Sequence, residues 1–104
     1  MNKTVMRKIL SRNIDTVTLF FCQKPSTGYG VIGEVERVFG VRLGAGVVYG
    51  CLMRLERDGL LSHEMVNGAH GTRQTCSYVV TEKGKTMFQC NVEQLRVILK
   101  FIGC

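Results

Sequence analysis

The sequence predicts an α+β fold, mainly α, and three observations predict it. Apolar residues recur at helical spacing in three stretches before the middle of the chain. Two short strand-like runs then flank a glycine-rich bend, and a long helical stretch closes the sequence. At 104 residues the chain is long enough for one compact unit with a modest core.

The first helical stretch runs from Asn13 to Cys22. Ile14, Val17, Phe20 and Phe21, with Leu10 one turn earlier, take the three- and four-residue steps of one helix face. The β-branched residues of VTLFF also allow a strand, and the spacing favours the helix. Pro25, the single proline, marks the break that follows. Ser26 or Thr27 then caps a second helix, with Ile32, Val35 and Phe39 inward beside Val31 and Val38, and Gly40 as its stop.

After a short extended stretch, VRL, comes LGAGVVYGCLMRLERDGLL, Leu43 to Leu61. Val48, Cys51, Leu52 and Leu55 recur at i, i+3, i+4 and i+7, the buried face of a third helix ending at Asp58-Gly59. The opposite face is Gly46, Tyr49, Gly50, Met53, Arg54 and Arg57. Next, LLSHEMV and TCSYVVT flank NGAHGTRQ, whose Asn-Gly suits a β-hairpin bend. The last helix begins at the cap Thr81 with acidic Glu82 in its first turn. On it Phe88, Val92, Leu95, Leu99 and Ile102 step by four, three, four and three, a dimer seam or a core face.

Three helices, a two-stranded hairpin wing and a long C-terminal helix make the winged helix-turn-helix plan, in which the third helix enters the major groove. Residues 1–80 then form the winged-helix DNA-binding domain with a basic N-terminal segment, and 81–104 the dimerisation helix.

Charge agrees with that plan. The chain holds 14 Lys and Arg against 8 Asp and Glu, a formal net charge of +6, and such a field attracts polyanions. Double-stranded DNA is the first partner to consider. Lys3, Arg7, Lys8 and Arg12 form a basic start with no acid before Asp15, either an arm along the DNA backbone or a solvated helix face. No segment reaches the roughly 20 apolar residues of a membrane span, and the start lacks the apolar run of a secretory signal. The expectation is an intracellular protein of the cytoplasm or nucleoid, without a membrane partner.

Other chemistries find little to stand on. Cys22, Cys51, Cys76, Cys90 and Cys104 include no C-x-x-C pair, which argues against zinc and for small apolar thiols. Cys90 and Cys104 are close enough to the end of the chain to form an intersubunit disulfide. His63 and His70 stand apart from any metal-ligand spacing, so no metal site and no cofactor is expected. Ser11, Ser26, Ser62 and Ser77 sit in no G-x-S-x-G setting, and the chain is not expected to be an enzyme.

One motif needs an alternative explanation. TGYGVIG carries the spacing G-x-G-x-x-G at Gly28, Gly30 and Gly33, yet QKPST separates it from VTLFF and no acid lies about 20 residues on. It is therefore not a dinucleotide cradle. Glycines at 30 and 33 each cost a helix up to about 1 kcal/mol relative to Ala, which points to tight packing of the second helix on its neighbours.

The segments GYGVIGEVERVFG, VVYGCLMRLERDGLL and YVVTEKG, with the wing residues Gly71-Thr72-Arg73, resemble PadR-like winged-helix transcriptional regulators. The matches are Gly28-Tyr29, Gly46 and Tyr49, Arg54-Leu55-Glu56 with Asp58-Gly59-Leu60, and Tyr78 with Thr81-Glu82-Lys83-Gly84, across about residues 11 to 90. The resemblance implies a homodimeric repressor that binds operator DNA, with Phe88, Val92, Leu95, Leu99 and Ile102 in the dimer. It places the DNA contacts at Thr27, along the third helix (Ala45, Gly46, Val47, Tyr49, Gly50, Met53, Arg54, Arg57) and on the wing (His70, Thr72, Arg73).

The chain also departs from the family pattern. Gly44-Ala45-Gly46-Val47 stands where Ser-Pro-Gly-Thr is usual, and Gly50 where a long polar side chain is usual. Capping and phosphate hydroxyls are thus absent, and direct base readout is thin. Specificity then comes from backbone approach, methyl contacts and DNA shape, or the scaffold serves as a protein-interaction or architectural module. Tyr49 is a DNA contact or a rim residue, and Arg54 a phosphate contact or a partner of Glu56, Asp58 or the second helix. Arg57 reaches a phosphate or complements its helix dipole. The sequence names no small-molecule effector.

Overall fold

The computed structural model describes residues 2–67 and 73–103. In chain order these form α1 (Lys3–Arg12), α2 (Ile14–Phe21), α3 (Gly28–Phe39), α4 (Ala45–Arg57), β1 (Leu61–Asn67), β2 (Gln74–Val80) and α5 (Glu82–Ile102). The fold is α+β and mainly helical, as the sequence predicts, with one additional helix at the start.

That extra helix corrects the reading of a single first helix. Asn2 caps α1 by accepting the Val5 N–H at 3.0 Å. Asn13 stops it: its backbone leaves the helical region at φ −115°, and its side chain donates to the Ile9 carbonyl at 2.9 Å. Lys3, Arg7, Lys8 and Arg12 lie on exposed positions of α1, a solvated helix face. The chain then turns directly into α2, whose buried side is Thr18, Leu19 and, at its C-cap, Cys22. Ile14, Val17 and Phe21 are only partly buried and Phe20 is half exposed, so the predicted inward face is rotated. The cause is that α2 packs on two sides, against α4 and against α5, and is apolar almost all round.

The next two helices follow the sequence closely. Thr27 caps α3 by accepting the Gly30 N–H at 3.0 Å, and Gly40 ends it in the left-handed region at φ 72°. Val31, Ile32 and Val35 are buried there, Phe39 packs beside them, and Val38 is exposed. Val48, Cys51, Leu52 and Leu55 are all buried on α4. Burying four such side chains contributes on the order of 1.5–3 kcal/mol each before conformational entropy is deducted.

β1 and β2 pair antiparallel in register from Leu61↔Val80 to Asn67↔Gln74. A short bridge adds the loop before α3: Ser26 and Tyr78 exchange backbone hydrogen bonds at 2.9 and 2.8 Å. This fixes the wing against the helices. At the root of the wing, Thr81 accepts the Gly84 N–H at 3.0 Å, donates to the Gly59 carbonyl at 2.7 Å, and Lys83 reaches the Asp58 carbonyl at 2.9 Å. A Cβ on Gly84 would lie 2.1 Å from the Leu60 carbonyl oxygen, so only glycine lets α5 start there.

The tight-packing expectation for α3 moves from Gly30 and Gly33 to Gly28. Nothing lies within 4 Å of a Cβ built on Gly33, and one on Gly30 meets only the Ser26 and Thr27 hydroxyls, at 2.8 and 3.3 Å. Gly28 is the close approach, against the Tyr49 ring of α4.

Candidate nucleic-acid interface

The outer face of α4 is open to solvent and stands beside the wing. Its N-cap, Gly44, offers no side-chain cap, as the missing hydroxyl predicts. Ala45, Gly46 and Gly50 are exposed, and so are Val47 at 47% and Met53 at 65%. A Cβ built on Gly46 or Gly50 would meet nothing within 4 Å. The first two turns thus form a smooth strip with no hydrogen-bonding side chain except Tyr49.

Tyr49 is half buried. Its ring lies on Gly28, and Tyr29 meets it edge-on at 5.9 Å between centroids. Burial pushes the Tyr49 phenol above its ordinary pKa, neighbouring Tyr29 adds to the shift, and a bond with the Tyr29 backbone opposes it. The phenol therefore joins the start of α3 to α4.

Arg54 pairs with Asp15 of α2, which corrects the partners expected for it. The Asp15 carboxylate holds the Arg54 guanidinium above its usual pKa. Cys51 lies beneath them, with its sulfur 3.4 Å from Asp15 Oδ1 and 3.5 Å from Thr18 Oγ1. Glu56 pairs instead with His63 of β1, whose ring stands 5.7 Å from that of Tyr78. Arg57 is exposed, with its Nε 3.4 Å from Asp58 Oδ1. Thr27 accepts the Gly30 N–H as the α3 cap, which leaves its hydroxyl proton to donate to a phosphate. Arg73 is exposed just before β2, while His70 and Thr72 lie outside the described residues.

The predicted seam of α5 divides in two. Phe88, Val92 and Leu95 are half buried, Phe88 packs on the core with its ring 6.1 Å from Phe20, and Asn91 donates to Thr16 at 3.0 Å. Leu99 and Ile102 are exposed at 63% and 70%, together with Val97, Ile98 and Phe101. Sequence reasoning missed Phe101 because it lies off the seven-residue repeat. Cys90 is exposed with a free thiol, and Cys104 lies outside the described residues. Among the described residues no cluster suits a metal, and no helix is long and apolar enough to cross a membrane.

The comparisons agree with this geometry. The sequence profile described as "Transcriptional regulator PadR-like family" matches residues 19–90, well over half of the chain. A PadR family transcriptional regulator from Eggerthella lenta superposes with a TM-score of 0.83 at 25% identity, over 96% of this chain and 88% of that one. A PadR family regulator from Clostridium difficile gives 0.77 at 24% identity, over 86% of this chain and 94% of that one. Bacillus subtilis PadR in complex with operator DNA gives 0.68 at 18% identity, over 78% of this chain and 48% of that one. No curated protein shows significant sequence similarity to the chain. Proteins of this family are transcriptional regulators rather than enzymes. From residue 19 to residue 90, from the end of α2 through α3, α4 and the wing to the start of α5, the chain belongs to the PadR-like family of transcriptional regulators.

Proposed function

We propose that this protein is a sequence-specific double-stranded DNA-binding regulator of the cytoplasm or nucleoid, acting as a homodimeric repressor. The observation that carries the reading is α4, whose outer face is solvent-open in a winged helix-turn-helix whose relative binds operator DNA. The net charge of +6 and the exposed Arg57 and Arg73 supply the phosphate attraction. Two protomers present two copies of α4 to successive major grooves, and occupancy of the operator blocks transcription.

Surface area supports the dimer. A compact monomer of 11.6 kDa exposes about 5,800 Å². This chain exposes 7123 Å². The excess of about 1,300 Å² exceeds the roughly 800 Å² that each partner gives a standard interface. Val97, Ile98, Leu99, Phe101 and Ile102 are exposed around the end of α5, where such an interface would lie.

A gel-shift titration at two salt concentrations tests the DNA reading. With about three to five phosphates neutralised per protomer, log affinity falls against log salt with a slope of roughly −0.9 per contact. Absence of binding at low salt, or binding indifferent to salt, overturns it in favour of a protein-interaction module, which the donor-poor face of α4 would then serve.

A further inference from the structure

We infer that α4 reads thymine through its C5-methyl group, with Val47 and Met53 making the contact and Gly46 and Gly50 letting the helix backbone close on the base edges. The inference rests on the DNA-binding reading above and names what that site recognises. Val47 and Met53 are half to two-thirds exposed on a helix whose other apolar side chains, Val48, Cys51, Leu52 and Leu55, are buried. Gly50 lies three residues from each, so the two side chains flank a strip without Cβ atoms.

That strip has no internal use. A Cβ at either Gly46 or Gly50 would stand in open space, and glycine weakens a helix, so packing within the chain does not explain them. The polar groups that could read bases nearby are engaged elsewhere. Arg54 is paired with Asp15, and Tyr49 is seated on Gly28. Apart from the half-buried Tyr49 phenol and the paired Arg54, what α4 offers a major groove over its first three turns is methyl, methylene and bare backbone.

The chemistry of the groove edge then selects the base. G·C and A·T pairs alike present donors and acceptors there that a surface poor in polar side chains does not meet, so these groups do not discriminate. Thymine alone presents a methyl group, to which apolar side chains gain by contact. Positive charge at Arg57 and Arg73, exposed beyond the apolar strip, matches the phosphates on either side of such a groove. The occupant is thus duplex DNA with thymines under α4, in preference to an apolar protein segment.

The test begins with selection of duplexes bound by the full chain from a random-core library. The enriched duplex is then resynthesised with deoxyuridine in place of thymidine, which removes only the methyl group. Half-sites rich in T·A pairs are expected, with affinity falling about fourfold for each contacted methyl removed. In the Val47→Ala, Met53→Ala double variant, the thymidine-to-deoxyuridine affinity ratio should collapse towards one. Unchanged melting temperature shows that the variant is folded, as expected for exposed positions. Equal affinity for both duplexes, a ratio unchanged in the variant, or enrichment of G·C pairs overturns the inference while leaving DNA binding intact. Failure to bind any duplex at low salt overturns the DNA reading beneath it.

Discussion

The Tyr49 ring of α4 lies directly on Gly28, the first residue of α3: a Cβ on Gly28 would stand 2.3 Å from Tyr49 Cζ and 2.7 Å from its hydroxyl oxygen. The glycine whose spacing resembles a nucleotide cradle is the socket for a side chain from the helix proposed to enter DNA. This contact, with Tyr29 edge-on to the ring, holds the start of α3 against α4.

Two glycine substitutions with opposite signs follow from that socket. Gly28→Ala places a methyl group against the far end of the half-buried Tyr49 side chain, which must shift, and should destabilise by about 1 kcal/mol, the low end for overpacking. Gly33→Ala, with nothing within 4 Å of its Cβ, should stabilise by up to about 1 kcal/mol through helix propensity. Urea unfolding of the two variants separates them. A stabilised Gly28→Ala would mean that the ring yields freely and does not hold α3 against α4.

How much of this was legible depended on how local each signal is. The buried face of α4, the Gly40 stop and the Thr27 and Thr81 caps were readable because period and cap lie within a few residues of each other. The helix before Asn13 was not, since Leu10 is the only residue α1 buries. Pairings across the fold were also silent: Arg54 and Asp15 lie 39 residues apart, and Ser26 meets Tyr78 through backbone alone. Gly84 left a trace in Thr81-Glu82-Lys83-Gly84, but the carbonyl it accommodates belongs to Leu60. The periodicity of α5 marks a dimer seam or a core face, and period alone does not tell which half faces the chain's own α2.

The Arg54–Asp15 pair should couple α2 to α4 measurably but modestly. Both side chains are more than two-fifths exposed, at 41% and 46%, so water screens the attraction. A double-mutant cycle of Arg54→Ala and Asp15→Ala is expected to give a coupling of about 0.5–1 kcal/mol. Because Arg54 is engaged internally, its removal should lower the DNA salt slope by less than the roughly one unit expected for Arg57→Ala. Equal slope changes would reassign Arg54 to a phosphate.

Thiol chemistry gives a pH-dependent outcome. Burial pushes the Cys22 thiol up from 9.0 to about 12 and the Cys51 thiol up to about 11. The unfolded chain therefore loses these protons at lower pH than the folded chain. Stability is full below pH 9 and falls as pH rises towards 11, with each thiol contributing at most about 1.4 kcal/mol per pH unit. At neutral pH, alkylation mapped by peptide mass should mark exposed Cys90 early and spare Cys22 and Cys51 until the chain unfolds. Alkylation of all three at one rate would mean that the core opens freely.

The proposed dimer is best probed beyond the part of α5 that serves its own chain. Leu95 is half buried and lines the cleft with Arg12, Asn91 and Ile98, so Leu95→Asp confounds folding with association. Leu99 and Phe101 are exposed at 63% and 87%, and aspartate at either should cost the monomer only about 0.5 kcal/mol. In a dimer joined through this end, those aspartates bury a charge against an apolar partner. Sedimentation of Leu99→Asp and Phe101→Asp at micromolar concentration should therefore give half the wild-type mass, with unchanged helix content. Each freed protomer would engage one half-site, so the salt dependence of DNA binding should fall to about half. A wild-type mass that persists in both variants would move the interface away from the end of α5, leaving the apolar residues there without a second copy to cover them.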